Sequence, residues 1–134
     1  MTTALWRLSV RSEFSAGHAL RRYEGKCENL HGHNFSVEMV VEGRSLQEDT
    51  ELLVDFKLLK ARLNKAMEGL DHGVLNECAP FDVINPSSEN LARHIWQILA
   101  RDMEELGVRL YSVSVSEKAG QAATYMERQG TAWE

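Results

Sequence analysis

The stretch KCENLHGHNFSV, Lys26 to Val37, changes character half-way along. Its first residues are polar and turn-like. From His31 onward every second position belongs to one set, His31, His33, Phe35 and Val37, and the pattern runs on through Met39 and Val41 to Gly43. That is the period of a strand with one apolar face. Side chains two apart share a face, so both imidazoles project on the side of Phe35 and Val37. Upstream, Trp6, Leu8, Val10 and Phe14 alternate with Arg7, Ser9, Arg11 and Glu13. Consecutive strands usually pair, and antiparallel pairing sets the start of the second run beside the end of the first. There the chain reads Phe14-Ser15-Ala16-Gly17-His18, which brings a third imidazole to the same corner. Three neutral imidazoles suit zinc and leave a fourth position open for water or substrate. An H-x-H alone is a weak signal, better read by itself as partly exposed histidines at a sheet end. Cys27 has two readings. As a fourth ligand it closes a structural tetrahedron; standing off, it is a base or nucleophile beside an open site. Spacing does not choose between them.

Beyond this hairpin, Asp55 is placed to cap a helix whose apolar positions are Phe56, Leu59, Leu63, Met67 and Leu70. A second helix is expected from about Ser88, with Leu91, Ile95, Leu99, Met103 and Leu106 on one stripe and Gly107 at its end. Tyr111, Val113 and Val115 alternate with serines as a strand that carries Glu117 on the same face, and Ala122 to Arg128 form a last strand. The fold class is α+β, an antiparallel four-stranded sheet with two helices on one face. Arg44 to Glu51 reads as a polar loop. The 134 residues are read as a single domain, 1–134, able to fold without a metal staple.

The net charge of -5 argues against general nucleic-acid binding. Locally, Arg21, Arg22 and Lys26 against Glu24 and Glu28 make a mildly cationic loop, read either as a lure for an anionic substrate or as a solvated charge run. Two cysteines, no apolar leader after MTTALWRL and no membrane-length apolar run point to a reduced, cytoplasmic protein without membrane contact. Cys78 reads as a buried or loop thiol, and His94 as a helix-surface residue.

Phe14-Ser15-Ala16-Gly17-His18, Gly25-Lys26-Cys27 and Leu30-His31-Gly32-His33-Asn34 resemble the pattern of the 6-pyruvoyl-tetrahydropterin synthase superfamily. The resemblance continues in Leu70-Asp71-His72-Gly73-Val74-Leu75-Asn76, Asn85-Pro86-Ser87-Ser88-Glu89-Asn90 and Val113-Ser114-Val115-Ser116-Glu117, so it covers nearly the whole chain in order. Three residues between Cys27 and His31 are similar to the 6-carboxy-tetrahydropterin synthase branch of queuosine (7-deazaguanine) biosynthesis; the pyruvoyl branch typically has a longer interval.

The resemblance implies the tunnelling fold (T-fold), in which sheets of several subunits join into a barrel, here a homohexamer of two trimers. It implies zinc on His18, His31 and His33, with Cys27, Asp71 and His72 moving protons. It implies a pterin triphosphate substrate whose 2-amino and ring N–H groups are accepted by Glu117, with Ser87 in the substrate site. Read locally, Asp71-His72 is a dyad at a helix end, which also fits a surface cap, and Glu117 also fits a salt bridge to a neighbouring Arg or Lys. The implied reaction converts 7,8-dihydroneopterin triphosphate to 6-carboxy-5,6,7,8-tetrahydropterin with loss of acetaldehyde and triphosphate. Pyruvoyl-type elimination without carbon-carbon cleavage is the nearest alternative, and a non-catalytic zinc-stabilised binding module is an alternative of another class. The chain departs from many relatives at Ser87 (Thr), Lys118 (Thr) and Ala19 (a basic residue in some).

Overall fold

The computed structural model describes residues 1–128. Its frame is the hairpin-like pair β1 (Trp6–His18) and β2 (His31–Gly43), antiparallel from Trp6 opposite Gly43 to His18 opposite His31. Even positions of β1 and odd positions of β2 face the helices, and Val10, Phe14, Ala16, Phe35, Val37, Met39 and Val41 are buried there. A slip of one residue would turn every one of them to the other side, so burial fixes the register. The same register puts His18 and His31 face to face at the end of the ladder.

α1 (Phe56–Met67) starts at Asp55, whose carboxylate accepts the Lys57 N–H at 2.8 Å. Leu59, Leu63 and Met67 form its buried stripe; Phe56 lies on the solvent side, and Leu70 is buried just past the helix. α2 (Ser88–Glu105) starts at Ser87, whose hydroxyl accepts the Asn90 N–H at 3.2 Å, and Gly107 follows its end at φ +75. α1 lies against β1, and α2 against β4 (Arg109–Lys118) and β5 (Gln121–Tyr125). Both helices therefore cover one face of the sheet, as the hydrophobic periods require. No helix among the described residues is long and apolar enough to cross a membrane.

The sheet has five strands and is mixed, where the sequence reading expects four antiparallel ones. The addition is β3 (Gly73–Val74), which runs parallel to β1 with Ala16 opposite Gly73, giving the order β3-β1-β2-β4-β5. Two residues show no alternation, so periodicity gives no sign of it. It is set up by the turn after α1, where His72 takes a positive φ of 62 and its N–H donates to the Ser15 carbonyl at 2.6 Å. Asp71 and His72 thus belong to this turn and not to a helix end. β5 ends at Tyr125, short of the expected Arg128.

Tyr111 also departs from expectation. The β2–β4 register shifts between Val40 and Val41, so Leu110 takes the core position and Tyr111 lies under the Arg7 guanidinium, 3.6 Å from its ring centre. Beside them Glu42, 1% exposed, accepts from Arg7 Nε at 3.0 Å and from Arg109 Nε at 2.9 Å. Past the shift, Val113 and Val115 are buried and Glu117 continues their phase toward the histidines.

Candidate metal centre

His18, His31, His33 and Glu117 each offer one donor atom, and these four atoms lie within 4.8 Å of one another. Each imidazole arrives by strand phase. His18 ends the buried set of β1, and His31 and His33 open that of β2. The His18 and His31 ring centres are 4.6 Å apart, and those of His31 and His33 4.7 Å. Phe35 forms the floor, edge-on to His18 at 5.0 Å and stacked on Phe14 at 4.9 Å.

Backbone carbonyls set two of the tautomers. His18 Nδ1 lies 2.8 Å from the Pro86 oxygen and His31 Nδ1 2.6 Å from the Asn29 oxygen. A carbonyl can only accept, so both Nδ1 atoms carry the proton and, in the neutral rings, both Nε2 atoms carry a lone pair. Those Nε2 atoms, with Glu117 Oε2, are buried without a hydrogen-bond partner. Glu117 Oε2 is 3.1 Å from His18 Nε2 and 3.3 Å from His33 Nε2, close enough for a contact but without the alignment of a hydrogen bond. Burial lowers the His18 pKa below its ordinary 6.5, outweighing the Pro86 carbonyl and Glu117, which raise it. A neutral ring therefore points a lone pair at a carboxylate oxygen. Such an arrangement is repulsive until a cation stands between the donors, and a set of three imidazoles and one carboxylate fits zinc.

A cleft of about 250 Å³ opens onto this cluster, lined by His18, Glu117, Ser87, Glu89 and Gln121 among others. The Ser87 oxygen accepts the helix N–H, which leaves its O–H to donate into the cleft. Cys27 is half-buried in a single 3₁₀ turn, Lys26–Glu28, and its sulfur is not among the converging donors. Asp71 and His72 also stand outside the cluster. Asp71 accepts the Ser15 N–H at 2.9 Å and holds His72 Nδ1 at 2.9 Å. The Ser15 N–H, and after it the neighbouring His72, lower the Asp71 pKa below its ordinary 3.8. The His72 ring is 82% exposed, and it lines a hollow with Ser15, Gly32, His33 and Asn34.

Arg21, read in the sequence as part of a cationic loop, is turned inward onto backbone carbonyls. His94 is half-buried rather than on the helix surface, its ring 5.1 Å from that of Phe81. Sequence reasoning singled out Glu117 as a pterin acceptor but missed its convergence with the imidazoles, because that depends on the approach of a third strand, and it missed Pro86, because a backbone acceptor leaves no residue-type signal.

The profile of the 6-pyruvoyl tetrahydropterin synthase family matches residues 7–128. The chain belongs to that family. Within it, the chain is 36% identical over 126 residues to a 6-carboxy-5,6,7,8-tetrahydropterin synthase of Synechocystis sp., covering 90% of this chain and 93% of the relative. A dihydroneopterin monophosphate aldolase of Pyrococcus furiosus is 35% identical over 97 residues, 72% of this chain and 77% of the relative. The structure of Caenorhabditis elegans 6-pyruvoyl tetrahydropterin synthase superposes with a TM-score of 0.80 at 23% identity, covering 96% of this chain and 99% of that one, so the fold is the family's T-fold. These family members carry the names of three different reactions, which leaves the chemistry of this chain to its own site.

Proposed function

We propose that this protein is a zinc-dependent 6-carboxy-5,6,7,8-tetrahydropterin synthase. It converts 7,8-dihydroneopterin triphosphate to 6-carboxytetrahydropterin, with release of acetaldehyde and triphosphate, in cytoplasmic queuosine biosynthesis. The observation that carries this reading is the set of buried, unsatisfied donor atoms on His18, His31 and Glu117, of which His18 and Glu117 line a cleft. The likeness to the Synechocystis enzyme and the three-residue interval between Cys27 and His31 favour the carboxy branch.

His18, His31 and His33 hold the zinc, which when bound polarises side-chain oxygens of the substrate and acidifies the neighbouring C–H bonds. Glu117 accepts from the pterin 2-amino and ring N–H groups, and Ser87 donates into the same cleft. Cys27, outside the donor cluster, is free to act as a proton-transfer group, and His72, oriented by Asp71 through Nδ1, offers Nε2 to take or return a proton. The working form is a homohexamer built from two trimers. Among the described residues both sheet edges, the two-residue β3 and the five-residue β5, are short and have no further strand beside them, and oligomer closure would cover them.

Purified protein incubated with dihydroneopterin triphosphate should yield acetaldehyde with zinc present and none after chelation. Sustained absence of turnover by zinc-loaded protein would overturn the proposal.

A further inference from the structure

His18 is the last residue of β1, and the strand fixes where its ring enters but not how the ring is rotated. Rotation is set by the partner of Nδ1, the Pro86 carbonyl, 68 positions away on the loop that leads into α2. That carbonyl is in turn fixed by its surroundings. The Asn85 side chain pairs reciprocally with the Arg21 backbone, accepting its N–H at 2.8 Å and donating to its carbonyl at 2.9 Å. Asn76 does the same for Ala19, at 2.8 and 2.9 Å. Between them the Arg21 guanidinium reaches the carbonyls of Phe81 at 2.7 Å and Ile84 at 3.0 Å. Asn90 holds the Asn85 carbonyl at 2.9 Å, and Ser87 caps α2 on the other side of Pro86.

Once β1 ends, residues 19–21 have no neighbouring strand, yet their backbone groups still need partners. Two side-chain amides supply what a strand would, one donor and one acceptor each, and both come from the loop that carries Pro86. The ladder is thereby extended past His18 by side chains, and the extension reaches the single carbonyl that orients the buried ring.

We propose that Asn85, Asn76 and Arg21 are positioning residues for His18: they fasten the 76–86 loop to the chain leaving β1, so that the Pro86 carbonyl holds Nδ1–H and aims Nε2 into the donor cluster. This rests on the reading of His18 as a metal-holding residue. It assigns Arg21 to the loop carbonyls and not to a substrate anion.

The test has two readouts, taken well below each variant's melting temperature. The first is the histidine long-range proton–nitrogen-15 spectrum of the metal-free protein, which reports the His18 tautomer without any metal or substrate. The second is zinc affinity by competition with a chromophoric chelator. In Asn85→Ala the His18 Nδ1–H signature should be lost or averaged, and zinc affinity should fall by up to about 10- to 100-fold, the usual effect of losing an outer partner of a ligating histidine, here the Pro86 carbonyl once its loop is loosened. Arg21→Lys keeps the charge but loses the fork that spans two carbonyls. It should move both readouts in the same direction by less, and it carries the test if Asn85→Ala does not fold. A folded variant with an unchanged His18 spectrum overturns the inference, whether or not its zinc affinity falls. So does a changed spectrum with wild-type zinc affinity. Wild-type protein that binds no zinc while Asn85→Ala still loses the tautomer would instead sink the metal reading and leave the positioning role standing.

Discussion

Each end of the sheet draws a carboxylate inward, Glu42 1% exposed and Glu117 20%, and the two are treated in opposite ways. At one end Glu42 is held by Arg7 and Arg109, with Arg7 stacked on Tyr111. Its charge is matched by guanidiniums that are themselves 49% and 31% exposed, so they stay partly hydrated. At the other end Glu117 lies against two imidazoles, with the lone pair of His18 Nε2 toward it, and three polar atoms stay orphaned. Each such atom costs on the order of 1–3 kcal/mol. The arginine end is finished by the chain itself, whereas the histidine end is left unfinished at a cost in stability, which is how binding sites differ from structural ion pairs.

If that contrast is right, substitutions at the two ends should be read by different instruments. The largest effect belongs to His33→Ala, which leaves two imidazoles. Zinc occupancy by elemental analysis should fall nearly to zero and turnover with it, while the denaturation midpoint of the metal-free protein barely moves. Full zinc retention would place the metal elsewhere. Cys27→Ala should cut acetaldehyde formation by about 10² to 10⁴, the worth of a positioned proton-transfer group, with zinc content and melting temperature unchanged. A zinc-free, unfolded Cys27→Ala protein would make the thiol a structural ligand.

Glu42→Ala reverses the signature. It should cost about 2–3 kcal/mol, toward the low end for a broken buried pair because both arginines keep water, and leave zinc affinity intact. Urea denaturation at constant slope measures it. Glu117→Gln should weaken substrate binding by about 1–3 kcal/mol, since the amide turns a donor toward a ligand edge made of donors. Metal-free stability should stay level or rise, and calorimetry showing unchanged pterin affinity would return Glu117 to a purely metal-facing role.

The smallest effect is one of pH and falls at neither end. Burial against Phe81 lowers the His94 pKa below its ordinary 6.5. The folded state resists a proton that the unfolded chain accepts, so this stability is complete above pH 6.5 and is lost as pH falls through the folded value. His94→Leu should flatten the melting-temperature slope on that acid side; an unaltered slope would assign the acid sensitivity to other groups.

The histidine end was far more legible in sequence than the arginine end. Alternation in Trp6–Phe14 and His31–Val41 gives the strands, the faces and hence the corner where His18 meets His31, because one period governs both burial and ligand placement. Asp55 and Ser87 announce the helix starts through their own side chains. β3 was not legible, since two residues cannot show a period and its pairing is created by the turn at His72. Tyr111 was misplaced because a register shift belongs to a pair of strands, and a single strand's sequence does not display it. The Arg7–Glu42–Arg109 group depends on three strands meeting and leaves no motif.

The inward turn of Arg21 has a consequence for how a substrate arrives. With its guanidinium bound to the carbonyls of Phe81 and Ile84, Arg21 keeps its positive charge but turns its donors away from an incoming anion, while the exposed charges of the loop, Arg22 and Lys26 against Glu24 and Glu28, cancel. On a chain of net charge -5 the single positive charge left uncompensated in this loop gives only weak long-range attraction toward a polyanion. Approach of such a ligand should be slowest at low ionic strength and quicken as salt shortens the reach of the chain's own negative field, the reverse of electrostatic steering.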